Sequence, residues 1–212
     1  MLVPGAPAAD PERARLEAAR RARGKVRRYC AANRLNRLGT LTYRGAGCHD
    51  PVQVRLQVGQ FWRDLRDATG GRPLPYVWVP EWHKTDHGLH VHFAVGRYIK
   101  HATIEQAWGR GFVGIKRLTD LPVGSTSWHE ARKAAGYLSK YVTKTFDHDL
   151  GGLHRYEVGQ GFQPAVTKFT GERADVVLAY ACEVMGAAPE ARWVSWDVED
   201  WQGPPAVWFA WA

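Results

Sequence analysis

Cysteine is scarce in this 212-residue chain, and its few cysteines form no recognisable pattern. They are odd in number and widely spaced, and no Cys-X-X-Cys pair occurs among Cys30, Cys48 and Cys182. Disulfide frameworks and cysteine-ligated structural zinc sites are therefore not indicated. A reducing compartment fits such a chain best, and we expect a cytoplasmic protein.

Long apolar runs are also lacking. No uninterrupted stretch of about 18 apolar residues is present, so neither a membrane-spanning helix nor a membrane partner is expected. Residues 1–10 are apolar, but Pro4 and Pro7 interrupt them. This segment has neither the charged start nor the long apolar core of a signal peptide, so none is predicted.

Acidic residues are outnumbered by basic ones, 21 to 29, and the resulting net charge of +8 suggests a polyanionic partner. The excess is local, because ten Lys and Arg residues and a single acid, Glu17, lie between Arg13 and Arg37. A solvated basic helix would explain this pattern, but the concentration of the positive charge in one segment favours contact with nucleic-acid phosphates. The candidate DNA contacts in this segment are Arg20, Arg21, Arg27 and Arg28.

Helix and strand patterns alternate along the chain. A first helix is predicted over residues 11–36, because Asp10 is a suitable N-cap and Pro11 follows it at the first helical position. Periodicity then predicts strands at residues 38–43, 76–82, 89–95 and 111–118, and helices at residues 51–68, 102–108 and 128–145. The order predicts an α+β domain in which helices flank a mostly antiparallel five-stranded sheet.

Both ends of the chain are expected to extend this core. Residues 1–36 are interpreted as a basic helical extension, residues 37–146 as the core, and residues 147–212 as a C-terminal extension packed on it. The last segment is predicted to form strands at residues 155–158, 192–198 and 207–211 and a helix at residues 174–185. Its tryptophans are expected to be core residues: Trp193, Trp196, Trp201, Trp208 and Trp211.

The segment His90-Val91-His92 lies in the middle of an apolar strand, where alternation puts both histidines on one face. A hairpin turn over residues 83–88 brings Glu81, near the end of the preceding strand, to the same face. Two imidazoles and one carboxylate suit a divalent ion with open positions, although an isolated His-X-His is also common on the polar face of a sheet. The turn holds two further histidines, interpreted as bystanders or DNA contacts: His83 and His87.

A second group of polar residues lies on the helix predicted over residues 128–145. Tyr137 and Tyr141 are i, i+4 neighbours that share a helix face, with Lys140 and Lys144 alongside. A phenol has a pKa near 10, so a tyrosine nucleophile needs help, and a nearby ammonium group favours the phenolate and binds phosphate oxygen. Two tyrosines that only pack the helix on the sheet would give the same pattern.

Taken together and in this order, the motifs resemble those of the HUH endonucleases, where U is a hydrophobic residue. More narrowly, they are similar to the replication initiators of rolling-circle plasmids and single-stranded-DNA phages. The first motif is the strand at residues 39–43, and the second is His90-Val91-His92 with Glu81 nine residues upstream. The third motif is the two-tyrosine pattern YxxKY, formed by Tyr137, Lys140 and Tyr141. The resemblance covers roughly residues 38–145.

The resemblance implies an HUH core and metal-dependent nicking and joining of single-stranded or hairpin origin DNA. Mn²⁺ or Mg²⁺ would be held by Glu81, His90 and His92. Tyr137 or Tyr141 would attack a phosphodiester and remain bonded to the 5′ end as a 5′-phosphotyrosine. Lys140 would help to activate the nucleophile, and Lys144 would contact the DNA. Because the phosphate-binding sequence GxxxxGK[ST] of a fused helicase is absent, a host helicase and polymerase are the expected partners.

Other functions remain open at this point. Relaxases place their tyrosine before the histidine motif, and small HUH-type transposases usually carry a glutamine after the tyrosine, where Lys140 stands here. An RRM-like nucleic-acid-binding domain without catalysis has the same element order, but it has no use for a His-X-His with an upstream glutamate.

Overall fold

The computed structural model describes residues 10–116, 127–148, 150, 153–199 and 205–211, but not the side chains of residues 127–129. The chain divides into two units, Met1–Pro164 and Ala165–Ala212. The elements of the first unit are α1 (Pro11–Ala32), β1 (Arg37–Tyr43), α2 (Pro51–Ala68), β2 (Tyr76–Trp82), β3 (Leu89–Val95), α3 (His101–Trp108), β4 (Gly111–Lys116), α4 (Ser127–Lys144) and β5 (Glu157–Val158). Within the described ranges, no helix is long and apolar enough to cross a membrane.

The two longest helices of the N-terminal half begin as their sequences predict. The side chain of Asp10 accepts a hydrogen bond from the Arg13 amide at 3.0 Å, and Asp50 accepts one from the Val52 amide at 2.8 Å. Each of these caps is followed by a proline, which lacks the amide hydrogen that a first helical residue would leave unpaired.

Helix α1 ends at Ala32, four residues before the predicted end at Asn36. Arg34 adopts a left-handed conformation with φ 50°, which turns the chain out of the helix. The amides of Arg34 and Leu35 then bond back to the carbonyls of Ala31 and Cys30, at 3.1 and 2.9 Å. This is the Schellman pattern with arginine in the place where glycine is usual, so the sequence carried no glycine to mark the end of the helix.

The predicted five-stranded antiparallel sheet is confirmed, with the strand order β4-β1-β3-β2-β5. Strand β3 lies at its centre between β1 and β2, and every pairing is antiparallel. In the β2–β3 register Glu81 lies opposite His90, and in the β1–β3 register Thr40 lies opposite His92. Three neighbouring strands therefore contribute polar residues to one region of the sheet.

The sheet has a helix layer on each face. One face carries Val91 and Phe93 of β3 and packs on α2 and α3, where Phe61 and Trp108 are fully buried. The opposite face carries Ala94 of β3 and packs on α1 and α4. Because side chains alternate along a strand, His90 and His92 share the face of Ala94, and the shared face is as the sequence predicted. The structure adds that this face lies beneath α4.

Helix α1 is part of the first unit and packs along α4. Val26 and Cys30 are fully buried, and the hydroxyl of Tyr29 donates to the carbonyl of Gly159 at 2.9 Å. The chain beyond residue 147 also joins this core, because Leu150 and Leu153 are buried in the cluster under α2. The structure thus groups residues 1–164, where the sequence suggested boundaries after residues 36 and 146.

The second unit consists of α5 (Ala174–Met185), the paired strands β6 (Ala191–Val194) and β7 (Val207–Ala210), and a short 3₁₀ helix at Ser195–Asp197. Trp193 lies opposite Trp208 across the strand pair. The expectation that the tryptophans are core residues was wrong for these two and for Trp196, which are 37%, 42% and 63% exposed. Trp211 is half-buried, and Trp201 lies outside the described residues.

Candidate active site and metal centre

Two threonines of β1 hold the histidine pair of β3. The Oγ1 of Thr40 lies 3.0 Å from Nδ1 of His92, and the Oγ1 of Thr42 lies 3.4 Å from Nδ1 of His90. Each imidazole is thereby oriented through Nδ1, which leaves Nε2 for another partner. Metal-binding histidines are commonly fixed in this way by a group on the second ring nitrogen.

The two Nε2 atoms have different surroundings. The Nε2 of His92 lies 2.7 Å from Oε2 of Glu81. The Nε2 of His90 is buried and has no hydrogen-bond partner in the described part of the chain. Buried polar atoms are nearly always paired, so an unpaired imidazole nitrogen beside a carboxylate fits a position that a metal ion would fill.

The charge state of these groups also suits a cation. Burial, and then the nearby His83, His92 and His87, lower the pKa of His90 to about 4, so its imidazole is neutral at physiological pH. Neutral imidazole is the form that binds a metal. Burial on its own would raise the pKa of Glu81, but hydrogen bonds from His92 and Lys144 outweigh it and lower the pKa to about 2.

The candidate ligands do not form a ready metal cage. Among the described residues no group of three or more His, Cys, Asp and Glu side chains stands in metal-holding geometry. The His92–Glu81 contact of 2.7 Å is a direct hydrogen bond, whereas an ion sits about 2.0–2.2 Å from each ligand atom and separates them. The other carboxylate oxygen of Glu81 lies 2.6 Å from Nζ of Lys144, so a lysine ammonium holds the carboxylate. The donor set fits a divalent ion, and binding requires these two contacts to open.

Tyr141 of α4 lies directly over His92, and Tyr137 lies beside Tyr141. The ring of Tyr141 stacks on that of His92, with centroids 3.7 Å apart and planes 20° from parallel. The hydroxyl of Tyr141 donates to that of Tyr137 at 2.5 Å, so the two oxygens meet at one place. Burial, then the hydrogen bond to Tyr137 and the negative charge of Glu81, raise the pKa of Tyr141 above its ordinary value.

Among the described residues, the lysines that lie over the tyrosine rings are Lys144 and Lys116, not the Lys140 of the YxxKY motif. The Nζ of Lys144 lies 5.1 Å from the ring centroid of Tyr141, and the Nζ of Lys116 lies 4.5 Å from that of Tyr137. Lys140 is on α4 and exposed. Lys144 is one of the two lysines that the sequence placed alongside the tyrosines, since it follows Tyr137 by seven residues or two helical turns. Lys116 was not foreseen, because its position depends on where β4 pairs.

The predicted DNA contacts of α1 have varied positions. Arg20 and Arg21 both lie near Glu17, at 3.2 and 3.6 Å, and keep much of their side chains exposed. The Nε of Arg27 lies 3.4 Å from the hydroxyl of Ser139 on α4. Arg28 is exposed. All four arginines are therefore exposed, and Arg27 also contacts the tyrosine helix α4.

The two turn histidines also lie at the site. The ring of His83 stacks on His90 with centroids 4.2 Å apart, and Nε2 of His87 lies 2.8 Å from the carbonyl oxygen of Tyr43. The threonines of β1 were the residues that sequence reasoning missed most clearly, since the first motif was described only as a strand. Their alternate spacing, Thr-X-Thr opposite His-X-His, is the signal that indicates their role.

A known protein family matches the part of the chain that contains this site. Residues 36–146 match the family model of the replication-associated protein ORF2. The chain belongs to this family. The match covers more than half of the 212 residues and includes every candidate ligand and both tyrosines, while α1 and the chain beyond residue 146 lie outside it. No curated protein and no solved structure matches the chain. Family membership makes this a replication-associated protein.

Proposed function

We propose that this protein initiates rolling-circle replication by nicking and rejoining single-stranded or hairpin origin DNA. The observation that carries the proposal is the stacking of Tyr141 on His92, with the Tyr137 hydroxyl 2.5 Å from that of Tyr141. A candidate nucleophile is thus in direct contact with a candidate metal ligand. In a sheet whose helices served only for packing, a His-Glu-Lys group beneath a tyrosine pair would have no use.

The proposed reaction is a transesterification at phosphorus. The hydroxyl oxygen of Tyr137 or Tyr141 forms a bond to the scissile phosphorus as its proton leaves, and the bond from phosphorus to the 3′ oxygen breaks. The leaving oxygen takes up a proton and becomes a free 3′-OH, while the 5′ phosphate stays on the tyrosine. Because one phosphate ester replaces another, the same chemistry in reverse rejoins the strand.

Glu81, His90 and His92 would hold the divalent ion, Mn²⁺ or Mg²⁺, which when bound would withdraw charge from the scissile phosphate. Thr40 and Thr42 keep the two imidazoles in the orientation that offers Nε2. Two ammonium groups, of Lys144 and Lys116, lie beside the tyrosine rings, where such a group binds a phosphate oxygen. A host helicase and a host polymerase are proposed to separate the strands and extend the 3′-OH.

The test is to incubate the protein with labelled single-stranded origin DNA and Mn²⁺ or Mg²⁺, and to look for a covalent adduct on a denaturing gel. Chelator is expected to abolish the adduct. His90→Ala and His92→Ala are expected to abolish it while the thermal unfolding transition and most of the DNA affinity remain.

Calorimetric titration with Mn²⁺ separates the metal site from the chemistry. The wild type is expected to show one site and the double histidine variant none, whereas Glu81→Gln is expected to weaken binding without unfolding the protein. Full Mn²⁺ affinity in the double variant would contradict the ligand assignment. DNA binding without any adduct in the wild type would instead favour a non-catalytic binding domain.

A further inference from the structure

A cavity of about 560 Å³ lies beside α1, next to the edge strand β5. Its walls come from three parts of the chain: α1, the N-terminal half of α2, and the segment around β5. None of the residues that line it belongs to the histidine and tyrosine site. Apart from Arg55 on α2, they also lie outside residues 36–146, so the family match gives them no role.

The cavity is lined by four permanent cations and one carboxylate: Arg21, Lys25, Arg55, Arg155 and Glu157. The carboxylate is already engaged, because Nε of Arg55 lies 2.9 Å from Oε1 of Glu157. Arg155 donates to the carbonyl of His148 at 2.8 Å, a contact that orients the guanidinium and leaves its charge in place. The lining thus keeps a net positive charge, which attracts an anionic ligand.

The face of α1 that lines the cavity combines charge with small side chains. Ala18, Arg21, Ala22 and Lys25 follow the i, i+3, i+4, i+7 spacing of one helix face. The two alanines leave space between the longer cations, which makes this face concave. Tyr156, a half-buried lining residue of the segment around β5, adds an aromatic surface of the kind on which a sugar or base packs.

The neighbouring face of the same helix contacts the tyrosine helix. Arg23 and Arg27 of α1 approach the hydroxyls of Thr143 and Ser139 on α4, at 3.5 and 3.4 Å. Packed helices have axes about 8–10 Å apart, so a short run of nucleotides spans from the cavity to α4.

We propose that this cavity binds the phosphodiester backbone of the DNA strand outside the position that is cut. The inference rests on the proposed function, since it takes the strand at the cavity to be the one cleaved over α4. The cavity contacts backbone phosphates through Arg21, Lys25 and Arg155, and so it adds affinity without reading sequence.

The experiment compares two double variants of the full chain, each of which loses two cations. Arg21→Gln/Lys25→Gln changes the cavity, and Arg63→Gln/Arg72→Gln is the control, because these two arginines are exposed and line no part of the cavity. Affinity for a labelled single-stranded oligonucleotide is measured by fluorescence anisotropy over a series of salt concentrations, in chelator so that no strand is cut.

The slope of log affinity against log salt is negative, and each lost phosphate contact reduces its magnitude by about 0.7 for a single strand. The cavity variant is therefore expected to have a slope smaller in magnitude by about 1.4. The control is expected to keep the wild-type slope. Equal slopes in the cavity variant and the wild type, or an equal loss in the control, would overturn the proposal. Failure of the proposed nicking function would appear separately, as the absence of adduct with wild-type protein. The salt dependence of DNA binding can still be interpreted in that case, because it is measured without cleavage.

Amine labelling of the wild-type protein tests the same site without any substitution. The oligonucleotide is expected to protect Lys25 from an amine-reactive reagent and to leave Lys100, exposed at the start of α3, fully reactive. Inorganic phosphate and a mononucleotide serve as further probes. If either of them protects Lys25 as strongly as the oligonucleotide does, the cavity is a small-anion site and the proposal is overturned. Full reactivity of Lys25 in the bound complex would overturn it as well.

Discussion

At the scale of single residues, the ammonium group of Lys144 lies at the Glu81 carboxylate, which is also the candidate ligand of the divalent ion. Its Nζ lies 2.6 Å from Oε1 of Glu81, and the same ammonium group lies 5.1 Å from the ring centroid of Tyr141. A divalent ion that binds Glu81 must compete with this contact and is repelled by the ammonium charge. Lys144 therefore connects the metal site to the tyrosine helix.

Removing that ammonium group is predicted to strengthen metal binding. Because the pair is partly exposed, we expect Lys144→Gln to tighten Mn²⁺ affinity by about two- to fivefold, roughly 0.5–1 kcal/mol. Calorimetric titration measures the change. Lys140→Gln removes the same charge from an exposed position on the same helix and should leave the affinity unchanged. Weaker Mn²⁺ binding by Lys144→Gln would show instead that the lysine helps to assemble the site.

The two tyrosines are predicted to be interchangeable as nucleophiles, since their hydroxyls lie 2.5 Å apart. We expect Tyr137→Phe and Tyr141→Phe each to retain some covalent adduct and the double substitution to retain none. Phenylalanine keeps the ring and its packing, so loss of adduct reports on the hydroxyl. Denaturing gels followed by mass mapping of the modified peptide give the readout. Adduct in the double variant would place the nucleophile elsewhere, and complete loss in one single variant would leave the other tyrosine a helper.

At the scale of elements, α1 has two roles that the sequence presented as one. Its basic residues favour a DNA-binding extension, but Val26, Tyr29 and Cys30 are buried against the sheet and α4. The charged pattern was easy to see, because ten cations stand together. The buried stripe was not, because it is narrow and the partner surface comes from a helix more than 100 residues away.

Deletion of residues 1–36 is therefore predicted to destabilise the protein as well as weaken DNA binding. Each large buried side chain contributes about 1.5–3 kcal/mol, and a domain has only about 5–15 kcal/mol of stability in total. We expect circular dichroism to show a broadened thermal transition at a much lower temperature. Unchanged unfolding after the deletion would mean that α1 contributes little to the core. DNA affinity is better measured with Arg20→Gln and Arg28→Gln, which leave the buried face intact.

At the scale of the whole molecule, the two units have different relations to the proposed chemistry. Every residue of the candidate site and both large buried clusters lie before Pro164. The unit from Ala165 to Ala212 buries few apolar residues of its own among those described, and α5 has none that is buried. The first unit thus has the core and the site that an independent domain needs.

A chain that ends at Pro164 is predicted to keep its fold, its Mn²⁺ site and adduct formation. The physical reason is that, among the described residues, both buried clusters around the sheet consist of residues that precede Pro164. Thermal unfolding, calorimetry and the denaturing-gel assay compare it with the full chain. Loss of cooperative unfolding in the shorter chain would show that the second unit stabilises the first.

The sequence by itself determined the order and type of the elements of the first unit, the strand face shared by His90 and His92, and the helix face shared by Tyr137 and Tyr141. These features depend on periods of two and 3.6 residues, which are local properties of the backbone. The sequence did not determine every boundary, since the strand predicted at residues 192–198 ends at Val194 and is followed by a 3₁₀ helix. Only the tertiary structure decided which cations lie beside the tyrosines, because Lys116 reaches Tyr137 from a strand paired with β1. It also decided that Thr40 and Thr42 hold the imidazoles and that α1 closes the core. Register between strands and packing between helices join residues far apart in the chain, and no local pattern specifies such contacts.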